Sequence, residues 1–147
     1  MNNNLDKVYN DFKNEKDFLV VSHTCDPDTD SAARLKHYAD SMKVDTHRWI
    51  FLTGRKDSLY HTARVSYLLD DPKNNLENIN DQFLHTQFFA LVDKNGQVRG
   101  IYDGLKKDEL KKMNVDILDL LKEKGAKPGY VNNLFNNIKA HMVIGNT

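Results

Sequence analysis

Cys25 is the sole cysteine among 147 residues, and it stands in Ser22-His23-Thr24-Cys25-Asp26-Pro27-Asp28-Thr29-Asp30-Ser31. One thiol excludes an internal disulfide, a Cys-x-x-Cys dithiol and a Cys-rich zinc site, so thiol chemistry here requires a partner molecule. Asp26, Asp28 and Asp30 imitate the start of a calcium-binding loop. That loop needs Gly at its sixth position and Glu at its twelfth, where this chain has Ser31 and His37. The carboxylates are instead expected to cap the helix that follows and to favour its positive end. His37, His47, His61 and His141 do not pair at i+3 or i+4 and are read as surface residues. His85, taken alone, reads as a loop or hydrogen-bonded residue. No nucleophile triad, P-loop or dinucleotide Gly motif is present.

Elements must position these groups, and composition says how many there is room for. A chain of 147 residues and 17.0 kDa is one typical domain with a real core. Its 21 Lys plus Arg balance 21 Asp plus Glu, so no charge excess drives binding to nucleic acid or to an acidic membrane. The longest apolar run is far short of the roughly 20 residues a membrane span needs, and Met1 leads into Asn2, Asn3 and Asn4 with no signal-peptide core. Taken literally, the chain has no membrane insertion of its own and stays in the cytosol.

Leu5, Val8, Tyr9 and Phe12 recur at helical spacing and predict an opening helix over residues 3–14. Phe18 to Ser22 reads as a buried strand, and Leu35, Tyr38, Ala39 and Met42 mark the helix after the Asp-rich turn. The unit then repeats, with Trp49 to Leu52 as a strand and Leu59, Tyr60, Ala63 and Tyr67 on a helix face. That order predicts a parallel sheet. Tyr38, Tyr60 and Tyr67 at this spacing are packing residues. Residues 70–82 read as a long loop. Phe88 to Val92 and Val98 to Tyr102 flank Asn95-Gly96, a hairpin signal, so the sheet ends in an antiparallel pair. Leu110, Met113, Ile117, Leu118 and Leu121 predict a helix stopped by Gly125 and Pro128, with Lys106, Lys107, Lys111 and Lys112 on its solvated face. Val131, Leu134, Phe135 and Ile138 predict a last helix from Tyr130 to Met142.

The order α-β-α-β-α-loop-β-β-α-α is a thioredoxin-like α/β layout without its leading strand. The expectation is a three-layer fold, truncated at its N-terminal side, with a mixed sheet ending in a hairpin. Residues 1–124 would form that domain and residues 125–147 an additional C-terminal helix.

The segment from Ser22 to Ser31, with Leu35, Tyr38 and Ala39, resembles the Sco (SenC) family of copper chaperones for cytochrome c oxidase. The resemblance continues in Trp49 with Leu52-Thr53-Gly54, in His85-Thr86, in Leu91-Val92-Asp93-Lys94-Asn95-Gly96 and in Tyr102-Asp103-Gly104, covering residues 5–123 in order. It implies a thioredoxin-like domain binding one copper ion through the two cysteines of a Cys-x-x-x-Cys motif and a distal histidine. His85 matches that histidine. The cysteine pair has no counterpart, because the motif falls just before the helix with which the sequence begins. A thiolate pair is what makes such a site prefer Cu(I), so the chain as written is expected to be impaired. Cys25, with His23 and His85 in reach of its strand's exit, is a weaker metal candidate.

The resemblance further implies a role in assembling the oxidase copper centre, the copper-bearing oxidase subunit as partner, and a membrane-tethered domain facing the periplasm. Loss of an N-terminal part would explain the absent anchor and cysteines together; a true start at Met1 would leave the protein cytoplasmic. Two alternatives stand beside this reading. One is a thioredoxin-like thiol oxidoreductase centred on Cys25. The other is a non-catalytic interaction or remnant domain, whose exposed sheet centre would pair with another chain.

Overall fold

A computed structural model describes residues 2–67, 87–123 and 140–144. The elements run α1 (Asn2–Phe12), β1 (Phe18–His23), α2 (Ala32–Met42), β2 (Trp49–Leu52), α3 (Lys56–His61) with a π-helical turn over Thr62–Ser66, β3 (Phe88–Asp93), β4 (Val98–Asp103), α4 (Lys107–Lys122) and β5 (Ala140–Ile144). The loop expected over residues 70–82 and the start of the expected last helix lie outside the described residues, as does His85.

Five strands form one sheet in the order β2-β1-β5-β3-β4. β1 is parallel to β2 and to β5, while β3 is antiparallel to β5 and to β4. The parallel pair and the terminal hairpin are those the sequence predicts, and the chain has the α/β, thioredoxin-like fold. The mixed sheet keeps the crossovers long and the hairpin short, as strand polarity demands.

The centre of the sheet differs from expectation. A helix was predicted through Met142, yet Ala140–Ile144 is a strand, hydrogen-bonded to β1 on one side and β3 on the other. His141 therefore stands in a central strand and not on a surface helix. The physical reason is non-local. Without β5 the facing edges of β1 and β3 would leave two rows of buried backbone N–H and C=O groups unpaired. The β-branched pair Val143-Ile144 suits a pleated interior. The gap assigned to a missing strand is thus filled, and the exposed centre invoked for a partner chain is covered.

Strand alternation sorts the core. Phe18 and Val20 of β1, Trp49 of β2, Phe89 and Leu91 of β3 and Tyr102 of β4 lie on one face, beneath Leu5, Val8, Tyr9 and Phe12 of α1 and Met113, Ile117 and Leu120 of α4. Ala90 and Val92 alternate to the opposite face, where Tyr67 covers them. α1 and α4 thus cover one face, and Tyr67, just after the π-helical turn, packs on the other. Trp49 anchors the first cluster: its Nε1–H donates to Ser22 Oγ at 2.8 Å, Tyr9 lies 5.2 Å away between ring centroids, and Phe51 stacks at 5.6 Å. Its partner at the indole nitrogen is what lets a polar ring edge be buried without penalty. Tyr38 meets Phe51 edge-on, so all three tyrosines singled out from their spacing are packing residues.

Candidate functional site

The site is built where the parallel strands end. Ser22 of β1 pairs with Ile144 of β5, and Ile144 pairs with Phe89 of β3, while His23 pairs with Leu52 of β2. β3 runs against these three strands, so it begins at the sheet edge where β1, β2 and β5 end. Ligand sites of open α/β sheets form at this edge. His23, the turn after it and the chain leading into Phe88 converge there.

The turn from Thr24 to Ser31 is held by its own side chains. Thr24 Oγ1–H donates to Asp30 Oδ2 at 2.5 Å, and Thr24 Oγ1 accepts from the Asp26 N–H at 3.0 Å. Backbone bonds from the Thr29 and Asp30 N–H groups to the Asp26 carbonyl close the loop. Ser31, and not an aspartate, is the N-cap of α2, accepting from the Arg34 N–H at 3.3 Å. Asp30 also pairs with Arg34 at 3.7 Å. The Asp-x-Asp-x-Asp run therefore serves the turn. Among the described residues no group of three or more His, Cys, Asp or Glu is placed to hold a metal ion.

Cys25 sits in this turn and is 6% exposed. Its carbonyl accepts the Tyr60 hydroxyl at 3.0 Å, and Tyr60, a residue of α3, is itself fully buried. Lys56 lies over the Tyr60 ring, 5.5 Å from its centroid. Burial pushes the Cys25 thiol pKa up, with Asp26 and Asp30 adding to the effect against a backbone hydrogen bond. A redox centre or thiolate ligand needs the opposite, an exposed sulfur with a lowered pKa. Cys25 has the environment of a structural thiol.

His23 is the more unusual group. Its ring lies against Tyr67, 5.7 Å between centroids, and its Nε2 is buried with no hydrogen-bond partner among the described residues. Burial lowers its pKa to about 4, so the imidazole is neutral at physiological pH. A neutral imidazole at the strand exits is a competent nitrogen donor. With one buried, protonated thiol nearby it does not make the soft, two-thiolate environment that Cu(I) prefers.

Gln87, at the entry to β3, is gripped from two sides. Gln87 Nε2 donates to Asp103 Oδ2 at 2.7 Å, and the Gln87 carbonyl accepts the Gly104 N–H at 2.8 Å. Asp103 Oδ1 accepts the Leu105 N–H at 3.0 Å, and Lys106 lies 3.5 Å from its other oxygen. The Leu105 bond, then Gln87 and Lys106, hold the Asp103 carboxyl below its usual pKa. Asn4 of α1 donates to the Gly104 carbonyl at 3.0 Å. Only glycine fits at 104, because a Cβ there would fall 2.6 Å from the Phe89 ring and 2.8 Å from the Gln87 carbonyl. Tyr102-Asp103-Gly104 thus acts as a clasp on the start of β3. Sequence reading found the motif and missed its partner, since nothing in Gln87 announces a contact 16 positions away.

The second aspartate of the matching stretches, Asp93, plays a similar local part. Its Oδ1 accepts from the Asn95 and Gln97 N–H groups at 2.8 and 3.0 Å, shaping the hairpin turn in which Gly96 adopts a φ of 79°. No helix among the described residues is long and apolar enough to cross a membrane.

Residues 1–121 match the family model described as SCO1/SenC. A SCO1 protein homolog from Bacillus subtilis (strain 168) is 31% identical over 91 residues, covering 61% of this chain and 46% of that relative, a little under half its length. No solved structure matches the chain. The family model spans the Asp-rich turn, the His85 segment, the hairpin aspartate and the Asp103 clasp, all but the last strand of the sheet, and this chain belongs to the SCO1/SenC family.

Proposed function

We propose that this chain is a Sco-type domain acting in copper delivery to a cytochrome c oxidase copper centre, or in reduction of that centre's thiols, with His85 as its imidazole ligand. The single observation that carries this reading is the family match across residues 1–121. The clasp supports it, because it fixes Gln87, two residues from His85 in sequence, at the edge where the parallel strands end. In this reading the domain works on the periplasmic side of a membrane, and its partner is the copper-bearing oxidase subunit.

The 147 residues contain one cysteine, and its thiol is buried. A Cu(I) site with high affinity therefore draws two thiolates from outside these residues, and His85 supplies the third donor. Cu(I) titration against a competing chelator tests this, with and without a short Cys-x-x-x-Cys peptide added. The purified chain is expected to bind Cu(I) weakly alone and about tenfold or more tightly with the peptide, the scale on which a lost ligand-sphere group changes metal affinity. The gain should vanish in His85→Ala and survive in Cys25→Ser. Equal affinities for wild type and His85→Ala would remove His85 from the site.

A further inference from the structure

We propose that the open edge of β2, together with the groove between β2 and α2, docks a short extended segment of a partner protein in which apolar and acidic side chains alternate. Among the described residues the sheet has two edges, β2 and β4. β4 is guarded in the ways that keep an edge from pairing with other chains: Arg99 breaks its apolar run, and its register against β3 shifts between Leu91 and Val92. β2 reads Trp49-Ile50-Phe51-Leu52, with no charge, no proline and no register shift. Its one protection is its length of four residues, which limits the incoming segment to a similar length.

Backbone groups give the first element of recognition. The Val20 N–H donates to the Arg48 carbonyl and the Thr24 N–H to the Leu52 carbonyl, both at 2.9 Å. In a parallel ladder alternate residues turn both backbone groups to the same neighbour, so Arg48, Ile50 and Leu52 face β1 while Trp49, Phe51 and Thr53 face outward. The Trp49 N–H is taken by the Asp45 carbonyl at 2.8 Å. The Trp49 carbonyl, both groups of Phe51 and the Thr53 N–H form the short open ladder that strand addition uses.

The groove beside this ladder gives the second. It holds about 460 Å³, within the range of clefts that take ligands, and is walled by Leu35, Lys36 and Ala39 of α2 and by Ile50, Phe51 and Leu52 of β2. Charge gives the third. From Asp30 to Asp57 this flank carries six Lys and Arg against four Asp, whereas the whole chain is neutral. All four carboxylates are engaged, Asp30 by Thr24 and Arg34, Asp40 by Lys36, Asp45 by the His47 N–H and Asp57 by Arg55. The surplus is basic, and Lys36 on the groove wall is 73% exposed. An acidic segment is drawn to it and a basic one repelled. A second copy pairing through the same edge would set two basic flanks together, so the occupant is a different chain.

Amide chemical shifts of the full chain, titrated with synthetic peptides, read the three elements separately. The probes are Glu-Val-Glu-Ile-Glu-Val-Glu, the same pattern with Lys for Glu, and the acidic peptide N-methylated at every second amide, in both phases. The acidic peptide is expected to bind saturably, with shifts centred on Phe51 and Thr53, and at least about tenfold more tightly than the Lys peptide, a gap that narrows at high salt. N-methylation should abolish binding in one phase and spare it in the other, because alternate amides face the ladder. Lys36→Glu, an exposed substitution, should weaken the acidic peptide and strengthen the Lys peptide. No saturable shift at Phe51 and Thr53 up to millimolar peptide would overturn the docking site. Binding retained in both methylated phases would overturn strand addition, and equal binding of the two charge patterns would overturn the acidic partner. Shifts at the same amides on raising protein concentration alone would assign the edge to a second copy instead.

Discussion

At the scale of single residues, two buried groups carry opposite consequences for solution behaviour. His23 is held neutral by burial, with its pKa lowered to about 4 from an ordinary 6.5. The unfolded chain takes up a proton as pH falls through 6.5, whereas the folded chain resists until about 4. Stability is therefore full above pH 6.5, declines between 6.5 and 4, and levels once both states are protonated. The loss is on the order of 3 kcal/mol. Urea unfolding across that window should show the decline in wild type and a flat profile in His23→Leu; parallel profiles would assign the acid sensitivity elsewhere. Asp103, with its lowered pKa, acts in a lower window: its contribution is present above the ordinary carboxylate pKa and disappears as pH drops through the folded value.

Cys25 is the other buried group. A thiol 6% exposed with a raised pKa should not react with a disulfide reagent in the folded protein, and should react stoichiometrically once the chain unfolds. Rapid labelling of the native state would revive the thiol oxidoreductase reading. The sequence shows that Cys25 is single and lies in a turn. It does not show that Tyr60, 35 positions later, would roof that turn by bonding the Cys25 carbonyl. Reactivity is a property of surroundings, and those surroundings are non-local.

Among elements, local pattern was sufficient wherever one face of a segment is apolar and its neighbours are close in sequence. α1, β1, β2, the hairpin and α4 follow from helical or strand periodicity, with boundaries shifted by a residue or a few. The glycines show where that reasoning needs tertiary contacts. Gly104→Ala should cost about 1–3 kcal/mol, because the new methyl meets the Gln87 backbone carbonyl, which cannot swing aside as a side chain can. Gly54→Ala, with nothing within 4 Å of its added carbon, should lie within about 0.5 kcal/mol of wild type. Chemical denaturation of the two variants separates them; equal effects would mean that the clasp on β3 is loose. The same pair probes the candidate site, since slackness at Gly104 would let the start of β3 drift.

For the whole molecule, the layer architecture was legible and the identity of the central strand was not. Residues 131–138 carry an apolar stripe that extends a helical pattern toward Met142, and strand or helix in such a stretch is decided by what lies beside it. For residues 140–144, β1 and β3 lie alongside, and pairing with both edges makes that stretch a strand. The sequence also placed the start of β3 at the edge where the parallel strands end, because β3 runs against β5 and β5 runs with β1.

That central strand has a consequence for biogenesis. Local helices and the β3-β4 hairpin can form as the chain emerges, but the two half-sheets, β2-β1 and β3-β4, have no shared backbone bonds until residue 144 has been made. Synthesis proceeds at about 5–20 residues per second, so the open halves persist for seconds on a nascent chain. The edges of β1 and β3 that face β5 are thus the last backbone groups of the sheet to find partners during synthesis.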